Sequence, residues 1–189
     1  VATTTPLQSR TPLFTLRRFS LAIIDEACQI LEPSLMGLLT HIDKFVMVGD
    51  YKQLPAVVQQ PAALSQTTDP LLTAIHLTDC RNSLFERLYR QSEEDFRSIL
   101  HKQGRMHPAI AEFPNHTFYY QEHLEPIPLP HQEETCPYEN SPQAEDTLDQ
   151  LLLNRRMVFI PAEPAADQIV SEKSNSEEAR IVATLLKHI

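Results

Sequence analysis

A parallel α/β fold is what the sequence predicts, and three observations predict it. Two short apolar runs, Leu21-Ala22-Ile23-Ile24 and Phe45-Val46-Met47-Val48, end abruptly in Asp25-Glu26 and in Gly49-Asp50. Such runs are how buried parallel strands deliver carboxylates to the carboxyl edge of a sheet, where ligands bind. Between them Leu31, Leu35, Leu38, Leu39 and Ile42 recur at helical spacing, which makes the order strand–helix–strand.

Composition bounds the rest. A chain of 189 residues has room for one ordinary domain or two small ones, and at 42% hydrophobic it can bury a core. Cys28, Cys80 and Cys136 are scattered, odd in number and without metal spacing, so a reducing, cytoplasmic setting is expected. No run is long and apolar enough to span a membrane, and the first residues lack a secretory pattern. The net charge of −9 argues against a broad grip on phosphate backbones by this chain alone. It does not exclude a strand threaded through a narrow channel shared between domains.

In chain order, Val1 to Thr5 is β-branched and ends in hydroxyls, which predicts a strand. Leu7 to Arg18 reads as a Pro-interrupted connection with a solvated Arg17-Arg18 pair. Glu32-Pro33 opens a helix, with proline in the first turn. Gln59 to Asp79 reads as a polar insertion. Ser83-Leu84-Phe85-Glu86 predicts a capping box, followed by buried Leu84, Phe85 and Leu88. His107 is expected to shape the turn before Pro108, and 121–150, rich in Pro, Glu, Asp and Gln, reads as a mobile acidic connection. Arg156 to Ile160 predicts another strand. A helix capped by Asn175, with Glu178 in the reciprocal position, should bury Ile181, Val182, Leu185, Leu186 and Ile189.

Asp25-Glu26-Ala27-Cys28-Gln29 and Gly49-Asp50-Tyr51-Lys52-Gln53-Leu54-Pro55 closely resemble motifs II and III of superfamily-1 helicases. The resemblance is to the 5′-to-3′ branch that includes the nonsense-mediated-decay RNA helicase and the Okazaki-fragment nuclease–helicase. Gln103-Gly104-Arg105-Met106-His107-Pro108 resembles motif IV, which usually reads Gln-Tyr-Arg-Met-His-Pro, and Ser83 to Leu88 matches a further family block. The resemblance implies RecA-like P-loop NTPase sheets with flanking helices, and an incomplete core. Residues 1–100 would form the rear half of a first RecA-like domain. Residues 101–189 would open the second, with the acidic Pro-rich connection at 121–150.

For the site, the resemblance implies ATP and Mg²⁺ as cofactors. Asp25 would hold the metal and Glu26 would activate water. Gln53 would sense the terminal phosphate, and Arg105 would reach it with a permanent, forked charge. Gln29 and Asp50 complete the implied nucleotide-binding set. On its residues alone, Gln53 reads as a surface turn glutamine. Thr5 reads either as a plain strand end or, by resemblance, as a contact to a single-stranded nucleic acid backbone, DNA or RNA.

Two departures qualify the expectation. Gly104 stands where the family has a base-stacking tyrosine. With glycines only at 37, 49 and 104, no Gly-x-x-x-x-Gly-Lys-Ser/Thr loop can occur, so no backbone nest for phosphates is present. The chain is therefore expected to be a central helicase fragment, inactive by itself. The other readings are a non-catalytic RecA-like interaction module and an NTPase switch that does not unwind.

Overall fold

The short helix α1 (Pro12–Leu16) leads into strand β1 (Phe19–Ile24). The structure is a computed structural model that describes residues 1–4, 7, 12–135, 147–162 and 175–187. Helix α2 (Glu32–Leu39) carries the chain back, and β2 (Ile42–Met47) pairs in parallel with β1, from Phe19 opposite Ile42 to Ile24 opposite Met47. The predicted parallel strand–helix–strand unit is therefore present. Pro33 sits in the first turn of α2, where its missing N–H costs nothing. Leu35 and Leu38 turn into the core with Ala27, Cys28, Leu77 and Leu84.

Two expectations about these strands need correction. Ile42 belongs to β2 rather than to the helix face, so the strand starts three residues early. The strands are also not buried: Leu21, Ile23, Phe45 and Val46 are exposed, Ile23 at 72%. Burial of a central strand needs neighbours on its edges and faces, and among the described residues this sheet has only two strands.

The segment from Gln59 to Asp79 is built rather than merely inserted. It holds α3 (Ala62–Ser65) and α4 (Pro70–Ala74), the latter capped by Asp69, whose Oδ1 accepts from Leu71 N and Leu72 N at 2.8 and 3.2 Å. Arg18 is not simply solvated, because its guanidinium pairs with Asp43 on β2. Val1 to Thr3 form no regular structure and Thr4 is helical, so the expected first strand is not found there.

Helix α5 (Leu84–Gln91) starts as predicted, with Ser83 Oγ accepting from Glu86 N at 3.1 Å. The Glu86 carboxylate takes Arg90 at 2.7 Å, one turn on, instead of reaching back. Leu84 is buried, while Phe85 and Leu88 are half-buried. The most buried ion pair among the described residues joins α5 to α2. Arg87 donates Nε to Glu32 Oε2 at 2.9 Å and a terminal nitrogen to Oε1 at 2.5 Å, with the carboxylate 3% and the guanidinium 11% exposed. Arg87 also donates to Ile75 O at 2.8 Å, so the buried fork is well satisfied.

The chain divides into two compact units, Val1–Ser98 and Ile99–Ile189. The second repeats the parallel unit in miniature: β3 (Lys102–Gln103), α6 (Pro108–Thr117) and β4 (Glu125–Pro126), with Lys102 opposite Glu125. Asn115 fastens the return, donating to Leu124 O at 2.8 Å and accepting from Leu124 N at 3.1 Å. Beyond it lie α7 (Pro130–Glu133), α8 (Thr147–Asn154) and α9 (Ser176–Leu185). The acidic stretch is thus structured at both ends, because β4 and α7 pack onto the β3 turn, while 136–146 lie outside the described residues. Met157 to Ile160 form no strand. Asn175 caps α9 as predicted, accepting from Glu177 N and Glu178 N, but it is Glu177 that pairs onward, with Arg180. The α9 stripe is not buried: Val182 and Leu186 are exposed, and Ile189 lies outside the described residues.

Two stability predictions follow from these contacts. Arg87→Ala strands a buried carboxylate and should cost about 3–5 kcal/mol in chemical denaturation, whereas removing both partners as Glu32→Gln/Arg87→Met should cost less. Hydrogen bonds from the Arg81 guanidinium and then from Arg81 N–H hold the Asp79 carboxyl well below the usual carboxylate range. Folding therefore favours the ionised form, so its stabilisation is full above the unfolded value of about 4 and fades as pH drops below it. Asp79→Asn should flatten the acid limb of the thermal-unfolding profile below about pH 4; an unchanged limb would refute the linkage.

Candidate functional site

The carboxyl ends of β1 and β2 are welded by two backbone bonds past their last paired residues. Val48 N donates to Ile24 O at 2.8 Å, and Ala27 N donates to Val48 O at 2.9 Å. Between them Gly49 passes so close to the Ala27–Cys28 backbone that a Cβ would stand 3.1 Å from Cys28 N and 3.3 Å from Ala27 N. Its role is close approach, since no glycine here has positive φ. Ala27 and Cys28 are buried in a 3₁₀ turn, Ala27–Gln29, and Asp50 N reaches Cys28 Sγ at 3.4 Å.

That weld gathers five of the residues singled out from sequence at one strand edge. Asp25 and Glu26 are exposed, and Asp25 Oδ1 accepts from Glu26 N at 3.0 Å. Glu26 adopts a left-handed backbone, φ 50° and ψ 38°, which turns the chain off β1 and out of the strand direction. Strain of this kind persists only where surroundings over-determine it, and it clusters at working sites. Gln29 Nε2 donates to Glu26 Oε2 at 3.2 Å. Asp50 organises the neighbouring loop: its Oδ1 accepts from Lys52 N at 3.0 Å and its Oδ2 from Gln53 Nε2 at 2.8 Å. Tyr51 anchors the same loop to α5, its ring 5.0 Å from that of Tyr89 and beneath the Arg90 guanidinium at 5.9 Å.

Asp25 Oδ2 has no partner among the described residues, and the carboxylate is open to solvent. That suits Mg²⁺, which binds through one or two carboxylates with substrate phosphates and keeps several waters. Among the described residues, no group of three or more His, Cys, Asp or Glu is gathered to hold a metal by protein ligands alone.

Arg105 belongs to the second unit, on the turn between β3 and α6. Gln103 builds that turn with its own side chain, accepting from Arg105 N at 2.9 Å and Met106 N at 2.7 Å and donating to Met106 O at 2.8 Å. His107 then caps α6, its Nδ1 accepting from Ala109 N at 3.1 Å. Arg105 is exposed and has no side-chain partner among the described residues. The space over Gly104 is taken by Leu129, whose Cδ1 would lie 3.2 Å from an added Cβ, so a larger residue must displace it. Sequence reasoning missed His131 and Gln132, which clasp this turn from 27 and 29 residues away; an acid-rich context offered no signal for them. Thr5 lies outside the described residues.

With this geometry in hand, comparison with known proteins settles the class. Two family models, both described as AAA domain, match residues 1–61 and 80–189. The chain belongs to the AAA domain family, and its relatives are superfamily-1 helicases of the Upf1-like branch. It is 39% identical over 101 residues to an uncharacterized ATP-dependent helicase of Methanocaldococcus jannaschii, covering 53% of this chain and 13% of that protein. It is 36% identical over 119 residues to the DNA replication ATP-dependent helicase/nuclease DNA2 of Xenopus laevis, covering 63% and 10%. Against the ATP-dependent helicase upf1 of Schizosaccharomyces pombe it is 38% identical over 104 residues, covering 54% and 10%. The chain thus spans about a tenth of the length of these relatives.

Gly49→Ala forces the Ala27–Cys28 backbone aside and should destabilise the first unit by about 1–3 kcal/mol in chemical denaturation. Gly37→Ala, which meets nothing within 4 Å on α2, should instead stabilise by about 0.5–1 kcal/mol. Equal effects at the two positions would deny Gly49 its role in the weld.

Proposed function

We propose that the parent protein is an ATP-driven helicase or translocase acting on single-stranded DNA or RNA. The observation that carries this reading is the weld itself, which joins Asp25-Glu26 and Asp50 to Gln53 at a single strand edge. The family membership and the ATP-dependent helicases among its relatives support it.

In this reading Asp25 would hold Mg²⁺, which when bound neutralises charge on the phosphate oxygens. Glu26, tethered by Gln29 on a rigid turn, orients the attacking water and takes its proton. Gln53, held by Asp50 in the loop anchored on Tyr89, would sense the terminal phosphate of a bound nucleotide. Arg105, on the turn that Gln103 builds, would supply charge to the phosphoryl oxygens of a bound nucleotide. Asp50 and Gln29 act here through Gln53 and Glu26. The reading extends to a reducing, cytoplasmic setting, supported by the free thiols Cys28 and Cys80.

These 189 residues contain no Gly-rich phosphate loop, so the isolated chain should show negligible Mg²⁺-dependent ATP turnover. The decisive experiment is the ATPase rate of the full-length parent, with and without single-stranded DNA or RNA, beside Glu26→Gln. Strong stimulation by one polymer and a loss of about 100-fold or more in the variant are expected. A flat rate that ignores both polymer and mutation would overturn the motor and leave an interaction module.

A further inference from the structure

The turn that presents Arg105 is fastened from outside as well as by Gln103. Gln132 on α7 is 2% exposed, although it is an amide in an otherwise acidic, solvent-facing stretch. Its Nε2 donates to Gln103 O at 3.0 Å and to Met106 O at 2.8 Å, and its Oε1 accepts from Leu129 N at 3.4 Å. The adjacent His131 donates from Nε2 to Gly104 O at 2.8 Å, since a carbonyl can only accept. The carbonyls of Gln103, Gly104 and Met106 are therefore all gripped by two consecutive residues, one on either side of Arg105 and one immediately before it. The Arg105 guanidinium alone is left outward and without a partner among the described residues.

A buried amide that satisfies carbonyls is ordinary packing. Here the clasp spans both ends of a four-residue turn whose single exposed product is one cation, and that selects its purpose. The geometry points to Gln132, assisted by His131, as a positioning residue that fixes the direction of Arg105. This rests on the reading of Arg105 as the charge brought to the terminal phosphate. A loosened turn leaves the arginine present but misaimed, and small misplacements of a group that acts in the transition state cost turnover more than binding.

The test uses the full-length parent and ATP turnover stimulated by single-stranded nucleic acid. Gln132→Met keeps the volume and removes both donors; it should lower kcat about tenfold with KM for ATP changed less than about twofold. His131→Ala, at an exposed position with little risk to folding, should lower kcat about threefold. Neither should slow an Arg105→Ala enzyme further, because an arginine that is absent cannot be misaimed. Losses that instead add to that of Arg105→Ala would mark a general structural role and overturn the inference. Parental kcat in Gln132→Met and His131→Ala beside a collapsed Arg105→Ala would overturn it while leaving the arginine's role intact. Parental kcat in Arg105→Ala would overturn both. Should Gln132→Met fail to fold, the His131→Ala/Arg105→Ala comparison decides alone.

Discussion

The first unit depends on one short exchange of backbone bonds, in which Val48 takes a carbonyl from β1 and gives its own to Ala27. Each such bond nets only about 1 kcal/mol, but here two of them determine where carboxylates stand. Gly49 eases the exchange, because a Cβ there would press on the Ala27 and Cys28 backbone nitrogens. The left-handed turn at Glu26, of order 1–3 kcal/mol above an ordinary backbone, leads directly into the buried 3₁₀ turn against which Gly49 lies. Strand pairing, backbone strain and carboxylate placement are thus one coupled arrangement.

Around that arrangement the unit separates stability from chemistry. Leu35, Leu38 and Leu84 are buried there, and the Glu32–Arg87 fork ties α2 to α5. Asp25, Glu26, Gln29 and Gln53 stand exposed at the strand ends. The link between the two regions is aromatic: Tyr51, from the loop that carries Gln53, meets Tyr89 of α5 with the rings tilted by 39°, and Tyr89 itself lies beneath Arg97 at 5.2 Å.

What could be read from the sequence was whatever has a local cause. An apolar run ending in acid, a proline in a first turn, and Ser83 and Asn175 as caps all act within a few residues, and all are where the pattern put them. Burial was not legible, because exposure of Ile23 and Val182 depends on neighbours that no local pattern supplies. The Arg18–Asp43 pair and the Gln132 clasp were equally hidden, since partners 25 and 29 residues apart leave no periodic trace. The strand expected over Arg156 to Ile160 failed for the same reason: β-propensity proposes a strand, but only a pairing partner makes one.

The geometry also divides the resemblance-bearing blocks into two kinds of residue. In Gln103-Gly104-Arg105-Met106-His107-Pro108, the glutamine closes the turn, the histidine caps the helix and the proline starts it. Arg105 is exposed, its guanidinium without a partner among the described residues. In the loop from Gly49 to Gln53, Gly49 makes the weld and Asp50 spends both carboxylate oxygens on Lys52 N and Gln53. In Asp25 to Gln29, Ala27 and Cys28 are buried, while Asp25 keeps one oxygen without a partner among the described residues. Most of each motif is therefore a device for holding backbone, and one or two side chains in it are held out. A substitution within these blocks should accordingly be judged by which kind it removes: loss of a holding residue disturbs the backbone frame, whereas loss of Glu26 or Arg105, the side chains to which the proposed function gives chemistry, leaves that frame unchanged.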